Sequence, residues 1–228
     1  MSSIKYNDKS LIVKCFTLSD GLKSYFVPSA YSSKKNNQKI AYFQPLTILE
    51  IETIHKNSGG LSYFKELKIA SAYKTNSSHV YKATILIFLS EILSNSIKEE
   101  EKNDSLFTFL ETALLWLDEH DDFANFHLIL LLEMTKFLGF YPDISDFDLK
   151  HFNLNEGFFL HFEGTNCLNE YETHLFKKLL QLKFFDHQKV FAGIERQILL
   201  SILLSYFEIH LDGFRTPKSL AVLKEVFS

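Results

Sequence analysis

Ser10-Leu11-Ile12-Val13-Lys14-Cys15-Phe16-Thr17, then Asp20-Gly21, then Lys23-Ser24-Tyr25-Phe26-Val27 is the stretch that decides the fold. Its two outer pieces are rich in β-branched, apolar and aromatic residues, which suit a half-buried pleated surface. The Asp-Gly pair between them suits a tight turn. A β-hairpin is expected. Further along, residues 46–54 alternate with period two, Asn57-Ser58-Gly59-Gly60 supplies a turn, and 61–72 alternate less cleanly. Residues 32–39 are polar and basic with nothing to bury, and read as a loop. Several short strands with hairpin turns in the first 75 residues predict a small Greek-key barrel. The OB-fold is the member of that class associated with nucleic-acid strands, and an SH3-like barrel fits the periodicity almost as well.

From Ser77 the period lengthens. Tyr81, Ile85, Phe88, Leu89 and Ile92 share one stripe of a helix over 80–97, with Ser77 or Ser78 placed to cap it. A second helix is expected from a cap at Asp104 through Leu117. A third follows Asp121 and Asp122, is apolar nearly all round, and stops at Gly139 before Pro142. Residues 143–167 are the least periodic, with a β-like piece at 157–162. Asn169 with Glu172 has the form of a capping box opening a helix to about Leu182. A long helix over about 187–211 ends at Gly213, and Thr216-Pro217 open a last one to Phe227. The class is α+β: an N-terminal small barrel over 1–75 and a larger all-α domain over 76–228.

The net charge of −4 hides a split. Residues 1–75 hold 11 lysines against five acids, whereas the remainder holds 13 basic and 23 acidic residues. Such asymmetry points to a polyanion-binding portion joined to a differently tasked one. No apolar run approaches the ~18 residues of a membrane span, and no apolar leader block is present, so a cytoplasmic, membrane-free protein is expected. Two distant cysteines, Cys15 and Cys167, exclude a disulfide framework.

Catalytic motifs are lacking. There is no glycine-rich phosphate loop, nucleophile elbow or His-Glu-x-x-His pair. Asp143, Asp146 and Asp148 lack the Gly and closing Glu of a calcium loop and read as a polar loop past a helix end. His127 and His210, within apolar helices, read as core residues, and the acidic run 118–122 as helix-end capping and solvation. No catalytic residue, metal ligand or cofactor is expected. Phosphate neutralisation needs cations spread along a groove, and single-strand binding adds aromatic faces for bases. Lys5, Tyr6, Lys9, Lys14, Lys23, Tyr25, Lys34, Lys35 and Lys39 supply both and form the candidate DNA-binding set. Phe16, Phe26 and Phe43 are read as barrel filling, and Tyr6, Tyr25, Tyr31 and Tyr42 as surface platforms.

These residues resemble a known family. Tyr6, Asp8, Ser10, Leu11-Ile12-Val13, Phe16-Thr17, Gly21 and Gln44-Pro45-Leu46 with Glu50 look like the N-terminal domain of the bacterial DNA repair protein RecO family. Phe126 to Leu132, Gly139-Phe140-Tyr141-Pro142, Tyr206, His210-Leu211, Gly213-Phe214 and Lys218-Ser219-Leu220 look like its helical domain. The resemblance implies an OB-fold and a helical domain that act without a chemical step. Family proteins bind single- and double-stranded DNA, anneal complementary strands and, with RecR, help load RecA onto strands coated by single-strand binding protein (SSB). They contact the acidic, apolar-ended SSB tail, whose site should pair a pocket with a cation; Arg196, Arg215 and Lys218 are the candidates here.

Two departures stand out. Many relatives carry a four-cysteine zinc site after the Gly-Phe-x-Pro motif, whereas residues 143–167 offer one cysteine, so no zinc is expected. Relatives also place a further strand ahead of the Tyr-x-Asp motif, where this chain has only Met1 to Lys5. Either the start lies upstream or the barrel is open along one edge. A different class of function, an interaction adaptor with a purely structural barrel, predicts no salt-sensitive DNA binding.

Overall fold

The expected hairpin forms in the computed structural model of the chain, which describes residues 1–31, 37–54, 61–98, 101–186 and 190–227, with 37–39 and 54 as backbone only. The chain divides into two compact units, Met1–Glu119 and His120–Ser228. In the first, β1 (Ser2–Tyr6), β2 (Ser10–Thr17) and β3 (Gly21–Val27) form an antiparallel meander. Asn7 (φ 54°) and Gly21 (φ 67°) take the left-handed backbone that the two tight turns require. Residues ahead of the Tyr-x-Asp motif belong to the five-residue strand β1.

A short helix, α1 (Asn37–Tyr42), occupies part of the stretch read as loop. β4 (Ile48–Ile54) and β5 (Ser62–Ser71) then pair antiparallel, and β5 runs parallel to β3, giving the order β1-β2-β3-β5-β4. The turn read at residues 57–60 lies outside the described residues. The small barrel expected over 1–75 is not closed: among the described residues β1 pairs only with β2, and β4 only with β5. The apolar face is covered by other elements instead. Leu11, Val13, Val27 and Ala30 cluster with Cys15, Phe43 and Phe64, and the space between β2 and β4 is a pocket of about 590 Å³ bounded also by Phe107 and Leu114 of α3 (Asp104–Glu119).

α2 (Val80–Ser96) buries the expected stripe, with Ile85, Phe88, Leu89 and Ile92 fully inaccessible and Tyr81 exposed. Its N-cap is His79 rather than a serine, and the α3 cap acceptor is Asn103 Oδ1, which receives the Leu106 N–H at 2.9 Å, rather than Asp104. The acidic run does more than solvate helix ends. Asp118, 5% exposed, accepts the backbone N–H groups of Lys74, Thr75 and Asn76, each at 2.8 Å. Thr75 Oγ donates to the Asp118 carbonyl (2.6 Å), and the buried Lys82 ammonium donates to Thr75 Oγ (2.8 Å) and to that carbonyl (3.3 Å). α2 and α3 are thus tied to the end of β5. The spatial division falls at 119/120, while the 75/76 division follows the change of hydrophobic period.

In the second unit, α4 (Phe126–Leu138) is buried nearly all round and ends on Gly139 (φ 84°). The hairpin of β6 (His151–Asn153) and β7 (Phe158–Leu160) places Phe152 and Phe159 at 5.0 Å, with Phe176 of α5 (Glu170–Gln181) and Tyr206 of α6 (Gly193–His210) against Phe152. α5 opens with the expected capping box: Asn169 accepts from Glu172 N (2.8 Å) and Glu172 from Asn169 N (3.1 Å). α6 begins at Gly193, later than expected, and residues 187–189 lie outside the described residues. The final helix, α7 (Leu220–Val226), has Ser219 as N-cap rather than Thr216. His210, stacked on Phe140 at 5.3 Å, bonds the Leu154 carbonyl (2.8 Å).

Aromatic packing and hydrogen bonds hold the segment around Cys167. Cys167 Sγ accepts from Asn153 Nδ2 (3.5 Å), and Leu168 N–H donates to Phe152 O (2.8 Å). Asp143 is engaged by Ser145, whose hydroxyl and backbone N–H hold its carboxyl below the usual range. Among the described residues no group of three His, Cys, Asp or Glu side chains is placed to hold a metal ion. Metal analysis of the purified protein should find no stoichiometric zinc, and EDTA should leave its Tm unchanged.

Burial pushes the Asp118 carboxyl up, but the three backbone donors and the Thr75 hydroxyl outweigh it and hold the group below the ordinary 3.8. A depressed folded-state value gives stability that is complete above the unfolded value and lost as pH falls through the folded one. Asp118→Ala should cost about 3 kcal/mol in urea unfolding at pH 7, since one buried and two part-buried N–H groups lose a charged acceptor. The wild-type advantage over Asp118→Ala should shrink as the pH is taken below 3.8.

Candidate nucleic-acid interface

Strand register sorts the candidate residues into two faces. Leu11 pairs with Val27, Val13 with Tyr25 and Cys15 with Lys23, and on β1 Lys5 pairs with Leu11. Cross-strand partners share a face, so Lys5, Lys23 and Tyr25 belong to the core-side register. Ile4, Ile12 and Phe26 align across the other face, and β5 adds Tyr63 beside Phe26. Tyr6 and Lys14 lie on this outer register, two residues from Ile4 and Ile12 respectively.

The lysines accordingly diverge. Lys14 is half-buried on the outer face, and Lys9 is exposed in the β1–β2 turn. Lys5 is exposed, lies 3.9 Å from Asp8 and sits 5.8 Å from the Tyr31 ring centre. Lys23 is half-buried. Lys34 and Lys35 fall outside the described residues, and Lys39 lies in α1 with only its backbone described.

The aromatic assignment of adjacent residues 25 and 26 is reversed. Tyr25, expected at the surface, is 1% exposed, stacks on Phe64 at 4.6 Å, and has its hydroxyl bonded to Thr53. Burial pushes that phenol up. Phe26, expected inside, stands on the outer face between two tyrosines. Tyr6 meets it edge-on at 5.8 Å (87°) and Tyr63 at 5.7 Å (88°), with Tyr6 48% and Tyr63 36% exposed. Small Ser10, the β2 partner of Tyr6, leaves room for the Tyr6 ring to lean across to β3. At the opposite end of this face Phe16 packs on Phe107 of α3 at 6.1 Å, so the solvent-facing portion is the end carrying Ile4, Tyr6 and Tyr63. Of the other expected platforms, Tyr31 is exposed and Tyr42 half-buried, while Phe43 packs on Phe64 as expected of filling.

The β4–β5 side of the face is different. Glu50 pairs with Lys68 and Glu52 with Glu66, and Lys65 and Lys68 form ion pairs with Glu52 and Glu66. Sequence reading missed Tyr63, whose strand alternates poorly because a bulge shifts the register between Glu52 and Thr53.

In the second unit, Arg196 donates to the Phe191 carbonyl at 2.6 Å, and beside it the buried His127 is held down to about 3 by desolvation and by the Arg196 charge. Arg215 and Lys218 are exposed in the segment joining α6 to α7.

The family model described as Recombination protein O N terminal matches residues 1–73, and that described as Recombination protein O C terminal matches 78–220. The chain belongs to the RecO family. The DNA repair protein RecO of Flavobacterium johnsoniae is 62% identical over 228 residues, and that of Flavobacterium psychrophilum 64% over 229. That of Christiangramia forsetii is 42% identical over 229 residues; all three alignments cover the whole of this chain and 96% of the relative. For this RecO-family chain no described helix is long and apolar enough to cross a membrane.

Burial separates packing aromatics from surface ones. Tyr25→Ala should cost about 3–5 kcal/mol of unfolding free energy. Tyr6→Ala and Tyr63→Ala should stay within about 1 kcal/mol of wild type in the same urea titration.

Proposed function

We propose that this chain is a non-enzymatic recombination mediator that binds single- and double-stranded DNA through its N-terminal sheet and anneals complementary strands. It acts with RecR to help load RecA onto SSB-coated DNA. The observation that carries the reading is the match to both RecO family models across nearly the whole chain. The excess of lysine in residues 1–75 supports it, because cations spread over a sheet screen the repulsion between two phosphate backbones while the bases remain free to pair. We further read the sheet as an OB-fold left unpaired between β1 and β4. Its strand order, its parallel β3–β5 pair and a helix between β3 and β4 support that assignment.

The functional division is taken at residues 75 and 76, the first part for DNA and the second for protein partners. Within the DNA part, Lys9, Lys14 and Tyr6 stand on or beside the outer face, and Lys5, Lys23, Lys34, Lys35 and Lys39 complete the cationic set; Tyr25 contributes by packing. Arg215 and Lys218 are the exposed cations offered to the acidic SSB tail, with Arg196 held against Phe191. A cytoplasmic location follows from this role.

Single-strand affinity should fall with salt with a log–log slope of about −0.7 per phosphate contacted. Charge reversal of Lys34, Lys35 and Lys39 together should weaken binding and flatten that slope, and annealing of complementary oligonucleotides should slow in parallel. Unchanged affinity in the triple variant would count against the assigned cationic set.

A further inference from the structure

Three aromatic rings on the outer face of a sheet are more than packing requires. The core of the first unit lies on the other side of the sheet, where Leu11, Val13, Tyr25 and Val27 are buried. Tyr6, Phe26 and Tyr63 instead form a continuous edge-to-face row across β1, β3 and β5, with Ile4 60% exposed beside it. Phe26 is the half-buried centre, and the T-shaped contacts fix the orientation of the outer two rings, which keep much of their surface in water.

From this geometry we infer that Tyr6, Phe26 and Tyr63 form a stacking platform for the unpaired bases of a single-stranded polynucleotide. The inference rests on the DNA-binding reading and adds to it which atoms meet the bases. Charge around the row selects this occupant. Lys14 shares the outer register and Lys9 stands exposed at the β1–β2 turn, on the side where Tyr6 lies. On the far side Glu50, Glu52 and Glu66 face Lys65 and Lys68, which are already in ion pairs with Glu52 and Glu66. Phosphates are therefore favoured along β1 and β2, and the bases project over the rings towards β5. Every base has a π-face, so the platform is tolerant of sequence. A duplex, its bases already stacked, gains nothing from it.

The test compares two labelled oligonucleotides of about 15 nucleotides with equal phosphate number, one of thymidines and one of abasic residues, by fluorescence anisotropy at low salt. Wild-type protein should bind the thymidine strand on the order of tenfold or more tightly than the abasic one. Tyr6→Ala and Tyr63→Ala should each remove much of that preference while leaving abasic binding unchanged, and Tyr63→Phe should retain it. Lys14→Glu should weaken both strands alike. Equal binding of the two strands by wild type, or equal loss on both in the alanine variants, would overturn the platform and leave the DNA-binding reading standing. Failure to bind either strand would overturn both.

Discussion

The carboxylate of Asp118 holds together the part of the molecule on which the first unit depends. Three consecutive backbone N–H groups, from Lys74 to Asn76, point at it from the turn where the sheet ends and the helices begin. That turn would otherwise leave several donors in a protected place without acceptors, a cost of about 1–3 kcal/mol for each. Lys82, a buried cation, closes the same network from α2 through Thr75 and the Asp118 carbonyl, and Asn76 Nδ2 reaches the Leu114 carbonyl on α3 at 3.0 Å. A reversal of chain direction is thereby made into a rigid junction.

Everything else in the first unit builds outward from it. Tyr73, next to the junction, donates its hydroxyl to the Leu46 carbonyl at 2.7 Å, which fixes the entry to β4. Burial, with Asp118 and Glu111 nearby, pushes that phenol well up, so it stays a donor throughout the physiological range. With β4 and β5 held at one end, α3 against Phe16 at the far end of the outer face, and Leu11, Val13 and Val27 buried on the core side, the sheet is supported without closing on itself. The opposite face of β1, β3 and β5 is left to carry side chains whose surface is not consumed by packing. In the second unit, the β6–β7 hairpin rests on Phe152, Phe159, Phe176 and Tyr206. Gly157 has φ 73°, and a Cβ there would stand 2.7 Å from the Tyr206 hydroxyl, so glycine is needed at that turn on two counts.

Much of the fold was legible in local pattern. The β2 strand, the capping box at Asn169 and Glu172, and the Gly139 stop all depend on contacts within a few residues, so composition and spacing suffice to state them. The caps of α2, α3 and α7 were less legible, since several polar residues compete within two or three positions and only the final geometry chooses. The candidate site was half legible. Tyr6 and Lys14 lie on the outer face, but the expected positions of Tyr25 and Phe26 were exchanged, because neighbours on a strand face opposite ways and both are aromatic.

By itself the sequence determined an α+β chain, a lysine-rich strand region followed by an acidic helical one, and membership of the RecO family. These are properties of composition, period and motif, each carried by residues close together in the chain. Tertiary structure alone decided which face of each strand is buried, because that depends on partners contributed by β4, β5 and α3. It alone brought Tyr6, Phe26 and Tyr63 into one row from three strands. It also turned Asp118 from a surface charge at a helix end into the acceptor that joins sheet and helices, since the three donors it serves lie over forty residues away in the chain.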